Sequence, residues 1–294
     1  MAGSRVVVVG DVIDDIIVVP VGPIRPDTDT AARISRHEGG SAANTAAWMS
    51  RLGVDVDFVG CVGAGDRERH SAALRAHGVT PHIGEDSERV TGTIVIVVDG
   101  EQRTMLTDRG ANASLSVTHV TDELLARAGV LHLTGYSLVD SFTAAELSSL
   151  IERAHAHGVR VTLDPGSVGF IDDYGVEAFR DAISGIDILL PNHDEGRLLA
   201  GVDDVAAMVE KLLGLAPDVV LTRGAGTVIV ARRNRDVERV QVRPVEVVDP
   251  TGAGDAFTAG LISALLTRAD LVEAAAAGVR VAADAVTRAG ARPA

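Results

Sequence analysis

Six short, nearly unbroken apolar runs constrain the fold of this 294-residue chain more than any other feature. They cover residues 6–9, 56–61, 130–133, 159–163, 186–190 and 219–221. A strand with one solvated face alternates apolar and polar residues. A run without alternation is buried on both faces, as in a parallel sheet covered by helices. Helix-like stretches lie between the runs, at residues 41–52, 70–77, 143–157, 194–200 and 205–213. This alternation predicts an α/β three-layer sandwich with a mostly parallel central sheet and right-handed crossovers. Ligands of such sheets gather at the carboxyl ends of strands, and Asp11, Asn192 and Thr222 each follow a strand run.

Two stretches break the pattern. Residues 15–21 with 32–37, and 91–99 with 102–107, read as β pairs, the second turning at Asp99-Gly100. The expectation is one domain, residues 1–294, with a small discontinuous β sheet formed by about residues 15–38 and 91–107. There is no internal repeat, low-complexity tract or linker.

Composition excludes several function classes. An apolar content of 46% is ample for a large core. The net charge is −14, with no basic block and no aromatic–basic interleaving, which argues against nucleic acid and anionic membrane as partners. Solubility alone accounts for such a charge, and an acidic chain that binds a polyphosphate must supply positive charge locally. Cys61 is the only cysteine and reads as a small core residue, so an intrachain disulfide and a cysteine-based zinc site are excluded. No apolar stretch is long enough to span a membrane. Asp11, Asp14 and Asp15 break the first apolar run before it could serve as a signal sequence, so a cytoplasmic protein is expected. The chain has no G-x-x-x-x-G-K-[ST] and no G-x-G-x-x-G, and no histidine pair has metal spacing on one helix face.

Two glycine segments carry the chemistry. Asp249-Pro-Thr251-Gly252-Ala253-Gly254-Asp255 follows a valine-rich run and opens a helix-forming stretch from Ala256. Backbone N–H groups at a helix start have no intrahelical partner and form an anion site, reinforced by the helix dipole. A carboxylate in that first turn is suited to taking a proton from a hydroxyl that attacks an anion held by the amides; it could equally cap the turn. The second segment, Gly39-Gly40-Ser41-Ala42-Ala43-Asn44, opens another helix. Its paired glycines let the backbone approach a ligand closely, and Asn44 can both donate and accept hydrogen bonds. Gly63-Ala64-Gly65-Asp66 imitates the first segment, but no strong helix start follows it, and it reads as a loop.

Together these segments resemble the two signatures of the PfkB family of carbohydrate kinases, which has the ribokinase-like fold. Five further stretches are similar to the family in the family's order: Val6 to Asp11 followed by Asp14-Asp15, Arg109 to Asn112, Asn192 to Glu195, Thr222-Arg223-Gly224-Ala225-Gly226, and Ala285 to Ala291. The matches span almost the whole chain. The resemblance implies transfer of the γ-phosphoryl of ATP to a hydroxyl of a small neutral sugar, with Asp255 as general base and Gly252, Ala253 and Gly254 as the anion hole. It implies that Asp11, Asp15, Gly39, Gly40 and Asn44 hold the acceptor, and that Asn192, Thr222, Arg223, Gly224 and Gly226 line the nucleotide. Glu195 would hold Mg²⁺ through water, and Asp249 and Thr251, with backbone carbonyls around Val286 to Ala291, a monovalent cation, K⁺. Asn192 and Glu195 also have the spacing of a helix cap and its capping box. The small sheet would be a lid over the sugar and a surface for a homodimer.

The resemblance also has departures. Ribokinases carry an asparagine where Ile13 stands, a lysine where Ser41 stands, and a glutamate after the strand that here ends Leu133-Thr134-Gly135. Ribose is therefore not favoured over another sugar. A nucleoside kinase of the same fold is the alternative, with Trp48 and Tyr136 as candidates to stack a base, though Trp48 also reads as core. A non-catalytic sugar sensor is the third reading, against which the intact Asp255 and Gly-Ala-Gly loop argue.

Overall fold

Val6, Val7, Val8 and Val9 are all fully buried, and their side chains alternate between two cores. Val7 and Val9 pack with one layer of helices, Val6 and Val8 with the other. The structure, a computed structural model, describes residues 3–99, 102–138 and 141–293. Its strands are β1 (Arg5–Val9), β2 (Ile13–Pro20), β3 (Ala32–Gly39), β4 (Val56–Gly63), β5 (Thr80–Asp86), β6 (Thr93–Asp99), β7 (Gln102–Asp108), β8 (Ala128–Thr134), β9 (Arg160–Asp164), β10 (Ile188–Leu189), β11 (Asp218–Leu221), β12 (Val228–Arg232) and β13 (Glu238–Val240). Its α-helices are α1 (Ser41–Arg51), α2 (Arg67–Ala76), α3 (Asp122–Leu125), α4 (Ala144–Ala156), α5 (Val168–Tyr174), α6 (Val176–Ala182), α7 (His193–Ala200), α8 (Val205–Leu212), α9 (Ala253–Leu266) and α10 (Leu271–Ala285).

The large sheet has the order β13-β12-β11-β10-β9-β8-β1-β4-β5. Every neighbouring pair from β11 to β5 is parallel; only the pairings of β12 with β11 and β13 are antiparallel. Helices α3 to α8 contribute to the core on one face, and α1, α2, α9 and α10 to that on the other. The expected three-layer α/β sandwich is therefore what forms, and all six apolar runs lie in its sheet. Cys61 and Trp48 are buried, as core residues should be. Among the described residues no helix is long and apolar enough to cross a membrane.

Two features differ from the sequence reading. The edge strand β5 was not anticipated: its sequence, Thr-Pro-His-Ile-Gly-Glu-Asp, is polar and contains Pro81, which an edge strand tolerates. Helix α2 starts at Arg67, directly after Gly63-Ala64-Gly65-Asp66, where a loop without a strong helix start was expected. Its first turn, Arg67-Glu68-Arg69, is wholly charged and so hides the helical period. Asp66 nevertheless builds no anion site, because its carboxylate accepts from Thr91 Oγ1 (2.5 Å) and Arg69 Nη2 (3.1 Å). Asp14, in β2, is gripped by Arg69 of α2 through two hydrogen bonds of 2.7 Å, which ties the strand to the helix.

The two β pairs form one four-stranded sheet of order β3-β2-β6-β7, joined by a parallel pairing of β2 with β6. Asp99 pairs with Gln102 at the expected turn, whose residues Gly100 and Glu101 lie outside the described residues. One face of this sheet presents Ile13, Asp15, Ile94, Ile96, Met105 and Thr107 to a cavity against the large sheet. The alternation of these six positions along three strands follows from the two-residue period of a strand.

Candidate active site

Two helices begin at one place. Helix α1 starts after Gly40, whose φ of 102° is a conformation that favours glycine. A Cβ there would sit 2.4 Å from the carbonyl oxygen of Asp11. Gly40 has no side chain to cap the helix, and Asp11 does so from the end of β1. Its carboxylate accepts the N–H of Ser41 (2.7 Å), the N–H of Ala42 (3.2 Å) and the hydroxyl of Thr134 (3.3 Å). Helix α9 starts after Gly252, at φ 77°, and Asp255 stands in its first turn.

Asp255 faces α1 as well as the cavity. Its Oδ1 accepts from Ser41 Oγ at 2.7 Å and its Oδ2 from Asn44 Nδ2 at 3.0 Å. Asn44 is fixed in turn, because its Oδ1 accepts from Arg292 Nε at 3.0 Å, while Arg292 Nη2 donates to the Gly39 carbonyl at 2.9 Å. The amide of Asn44 therefore gives and accepts at once. Trp48 Nε1 donates to the Ala291 carbonyl at 2.9 Å, which holds the segment after Gly290 against α1.

The site is rich in carboxylates held away from water. Burial pushes the Asp255 carboxyl up to about 8; the bonds from Ser41 and Asn44 pull it down only in part, and Asp164 and Asp11 push it up further. Burial, with Asp164 nearby, raises Glu195 to about 8. Asp164 itself is raised to about 6 by burial, and Asp15 likewise to about 6, with Arg292 opposing. Acidic groups crowded together and held away from water account for the raised carboxyls, with Arg292 as a cation beside them.

Most of the predicted residues meet there. A cavity of about 650 Å³ is lined at one end by Asp11, Asp15, Gly40 and Asn44, and at the helix mouth by Thr251, Gly252, Ala253, Gly254 and Asp255. Asn192, Glu195 and Thr222 line its other end. Asn192 caps α7: its Oδ1 accepts from Asp194 N–H and Glu195 N–H, and Glu195 accepts from the N–H of Asn192 at 2.8 Å, so the capping box is formed. Arg223 and Gly224 line a second, adjoining cavity with Asn192, His193 and Asp194. Gly226 closes the same turn through its N–H to the Arg223 carbonyl, but lines neither cavity. Gly39 lines neither cavity, and a Cβ there would meet the Asp15 carboxylate at 2.3 Å.

Asp249 stands beneath the α9 turn. Its Oδ1 accepts from Thr251 N–H (3.0 Å) and Thr251 Oγ1 (2.6 Å), and its Oδ2 from Gly290 N–H (3.0 Å). Burial alone would raise this carboxyl, but bonds from Thr251, Gly290 and Arg103 outweigh it and hold the group at about 2.

Five contributors escaped the sequence reading. Asp164, after the strand run at 159–163, had the same signal as Asp11: a carboxylate at the carboxyl end of a strand. Ser41 had one as well, a hydroxyl at the start of a glycine-opened helix. Phe170 meets Tyr136 edge-on at 5.5 Å in the wall of the cavity, and the Arg109 guanidinium lies 5.7 Å from the Phe170 ring centre. Arg292 and Arg103 had no local signal, since their partners lie more than a hundred residues away in sequence.

The whole described chain has relatives of the same build. The model for the pfkB family carbohydrate kinases matches residues 4–294. The chain is 30% identical over 291 residues to the ribokinase of Haemophilus influenzae, covering 95% of this chain and 90% of that protein. It superposes on the crystal structure of adenosine kinase from Sinorhizobium meliloti with a TM-score of 0.87 and 25% identity, over 99% of this chain and 96% of the other. An E. coli chain solved in complex with ATP and Mg²⁺ is similar at a TM-score of 0.82 and 25% identity, over 98% of this chain and 94% of that one.

Proposed function

Because this chain belongs to the pfkB family of carbohydrate kinases, we propose that it transfers the γ-phosphoryl of ATP to a hydroxyl of a small neutral sugar. The observation that carries this reading is the Asp255 carboxylate, poised by Ser41 and Asn44 in the first turn of α9, beside the amides of Gly252, Ala253 and Gly254. Asp255 takes the proton of the acceptor hydroxyl. The acceptor oxygen bonds to the γ-phosphorus as the bond from that phosphorus to the β–γ bridging oxygen breaks, and ADP leaves. Chemistry of this kind needs positioning and charge neutralisation more than covalent help, and the helix-mouth amides hold the charge that develops.

Carboxylates of Asp11, Asp15 and Asp255 crowd the acceptor end, so a sugar that already carries a phosphate is repelled and a neutral one is favoured. Asn192, Thr222, Arg223, Gly224 and Gly226 take the nucleotide. The buried, raised Glu195 fits a hard divalent cation, which would lower its carboxyl again. Among the described residues no three His, Cys, Asp or Glu side chains form a metal cage. That suits a cation carried on phosphates with its waters, which Asn192 and Glu195 would hold. Mg²⁺ there supplies charge neutralisation on the phosphates. The chain works as one unit, residues 1–294, in the cytoplasm. The lid's outer face, with Ile34 and Leu106 exposed, pairs with a second copy. The Tyr136–Phe170 pair in the cavity wall favours a nucleoside acceptor as the second reading.

The test is ADP release from ATP and Mg²⁺ over a panel of neutral pentoses, hexoses, polyols and nucleosides. Turnover with one acceptor, lost in Asp255→Asn, is the expected result. ATP binding without turnover of any acceptor, here and over an extended panel, would leave a sensor and sink the kinase. A base with a raised pKa also sets the pH profile. For the accepted substrate, kcat/KM rises with pH through an apparent pKa of about 8, falling about tenfold for each unit below it. A profile flat across that range would remove Asp255 from the role of base.

A further inference from the structure

The lid brings a cation of its own to the turn before the anion-binding glycines. Arg103 stands on β7, two and four residues from Met105 and Thr107, and so on the same, inward face of the lid sheet. Its Nη2 donates to Asp249 Oδ1 at 3.0 Å, and its Nη1 donates to Thr251 Oγ1. Thr251 directly precedes Gly252, the residue that opens α9. Asp249 and Thr251, with backbone carbonyls around Val286 to Ala291, are the groups to which the family resemblance gives K⁺. In this chain their side-chain oxygens already meet N–H donors: Arg103 and Thr251 on Asp249 Oδ1, Gly290 on Oδ2, and Arg103 on Thr251 Oγ1. A full positive charge is in place as well. The side chains as they stand do not fit a K⁺ ion.

We propose that Arg103 is a positioning residue that does the work of a bound monovalent cation. Its guanidinium neutralises Asp249 and holds the Asp249–Thr251 turn in the shape that aims the Gly252, Ala253 and Gly254 amides at phosphate. A guanidinium presents several donors in a fixed plane, which suits this bridge from one carboxylate to one hydroxyl. Because it rides on the lid, the anion site is completed as the acceptor is covered. The wild-type protein then needs no K⁺, and removing the guanidinium creates a need for it.

The experiment compares the wild type, Arg103→Met and Arg103→Lys in potassium chloride and in tetramethylammonium chloride, both at about 0.1 M ionic strength. Thermal unfolding needs no acceptor. The wild type should melt within about 1 °C in the two salts, while Arg103→Met melts several degrees lower without K⁺ and recovers with it, by about 3 °C. In the kinase assay, the wild-type kcat should differ by less than about twofold between salts, and that of Arg103→Met should fall about tenfold without K⁺ and return with it. Arg103→Lys keeps the charge but not the planar pair of donors, and falls between the wild type and Arg103→Met. The proposal is overturned if K⁺ helps the wild type as much as Arg103→Met, or if K⁺ helps neither. Only the activity arm rests on the kinase reading. If the wild type turns over no acceptor, that reading fails, and the unfolding arm still decides the role of Arg103.

Discussion

Asp255→Asn is expected to lower kcat by about 10²–10⁴-fold, the usual contribution of a positioned general base, while ATP still binds. The same substitution should raise thermal stability at neutral pH. In the folded chain the Asp255 carboxyl keeps its proton up to about pH 8, whereas an unfolded aspartate gives it up near pH 4. Between those limits the folded state holds more protons than the unfolded one, so stability falls as pH rises. An asparagine carries no such penalty. The melting temperature of Asp255→Asn should therefore exceed that of the wild type at neutral pH, by a few degrees, and the difference should close as pH falls toward 4. A variant that is both inactive and less stable at every pH would show Asp255 to be structural. Glu195, also raised to about 8, pushes stability in the same direction over the same window.

Gly252→Val carries the second large effect. Gly252 has φ of 77°, and a Cβ there would lie 2.7 Å from the Ala291 carbonyl oxygen and 2.8 Å from its Cα. The left-handed conformation costs a β-branched residue about 1–2 kcal/mol. The clash adds to that unless the turn shifts, and a shift moves the neighbouring amides. Loss of aligned donors at an anion hole typically costs about 10²–10³ in kcat. The expected result is a kcat lowered by that factor with the acceptor KM little changed, and a melting temperature lowered by several degrees. A Gly252→Val protein within about threefold of wild-type kcat would mean that these amides do not hold the transferring group.

The layers of this fold were legible because burial on both faces removes alternation from a strand: Val6 to Val9 could be nothing else. What failed was local. The polar, proline-bearing β5 lies at a sheet edge, where burial no longer dictates apolar residues, and the charged first turn of α2 carries no period. In the site, a residue at the end of a strand or the start of a helix could be placed from its neighbours in sequence, which is how Asp11, Asn44, Asn192 and Asp255 were found. Arg103 and Arg292 are the opposite case. Each is an isolated arginine whose partners arrive only when β7 closes on the α9 turn, or the segment after Gly290 folds against α1. Their surroundings in the chain say nothing of either event.

The four-stranded lid has a consequence for how such a protein changes over generations. The chain passes between lid and body at both ends of β2–β3 and of β6–β7, so the lid is anchored on each strand pair rather than hung from one loop. Its inner array (Ile13, Asp15, Ile94, Ile96, Met105 and Thr107) faces the cavity, while the proposed base and the helix mouth belong to α9. On the proposed function, acceptor preference drifts by point substitution on that array without insertion, deletion or any change in the residues proposed for phosphoryl transfer. A library varied at those six positions alone samples new acceptors on an unchanged catalyst.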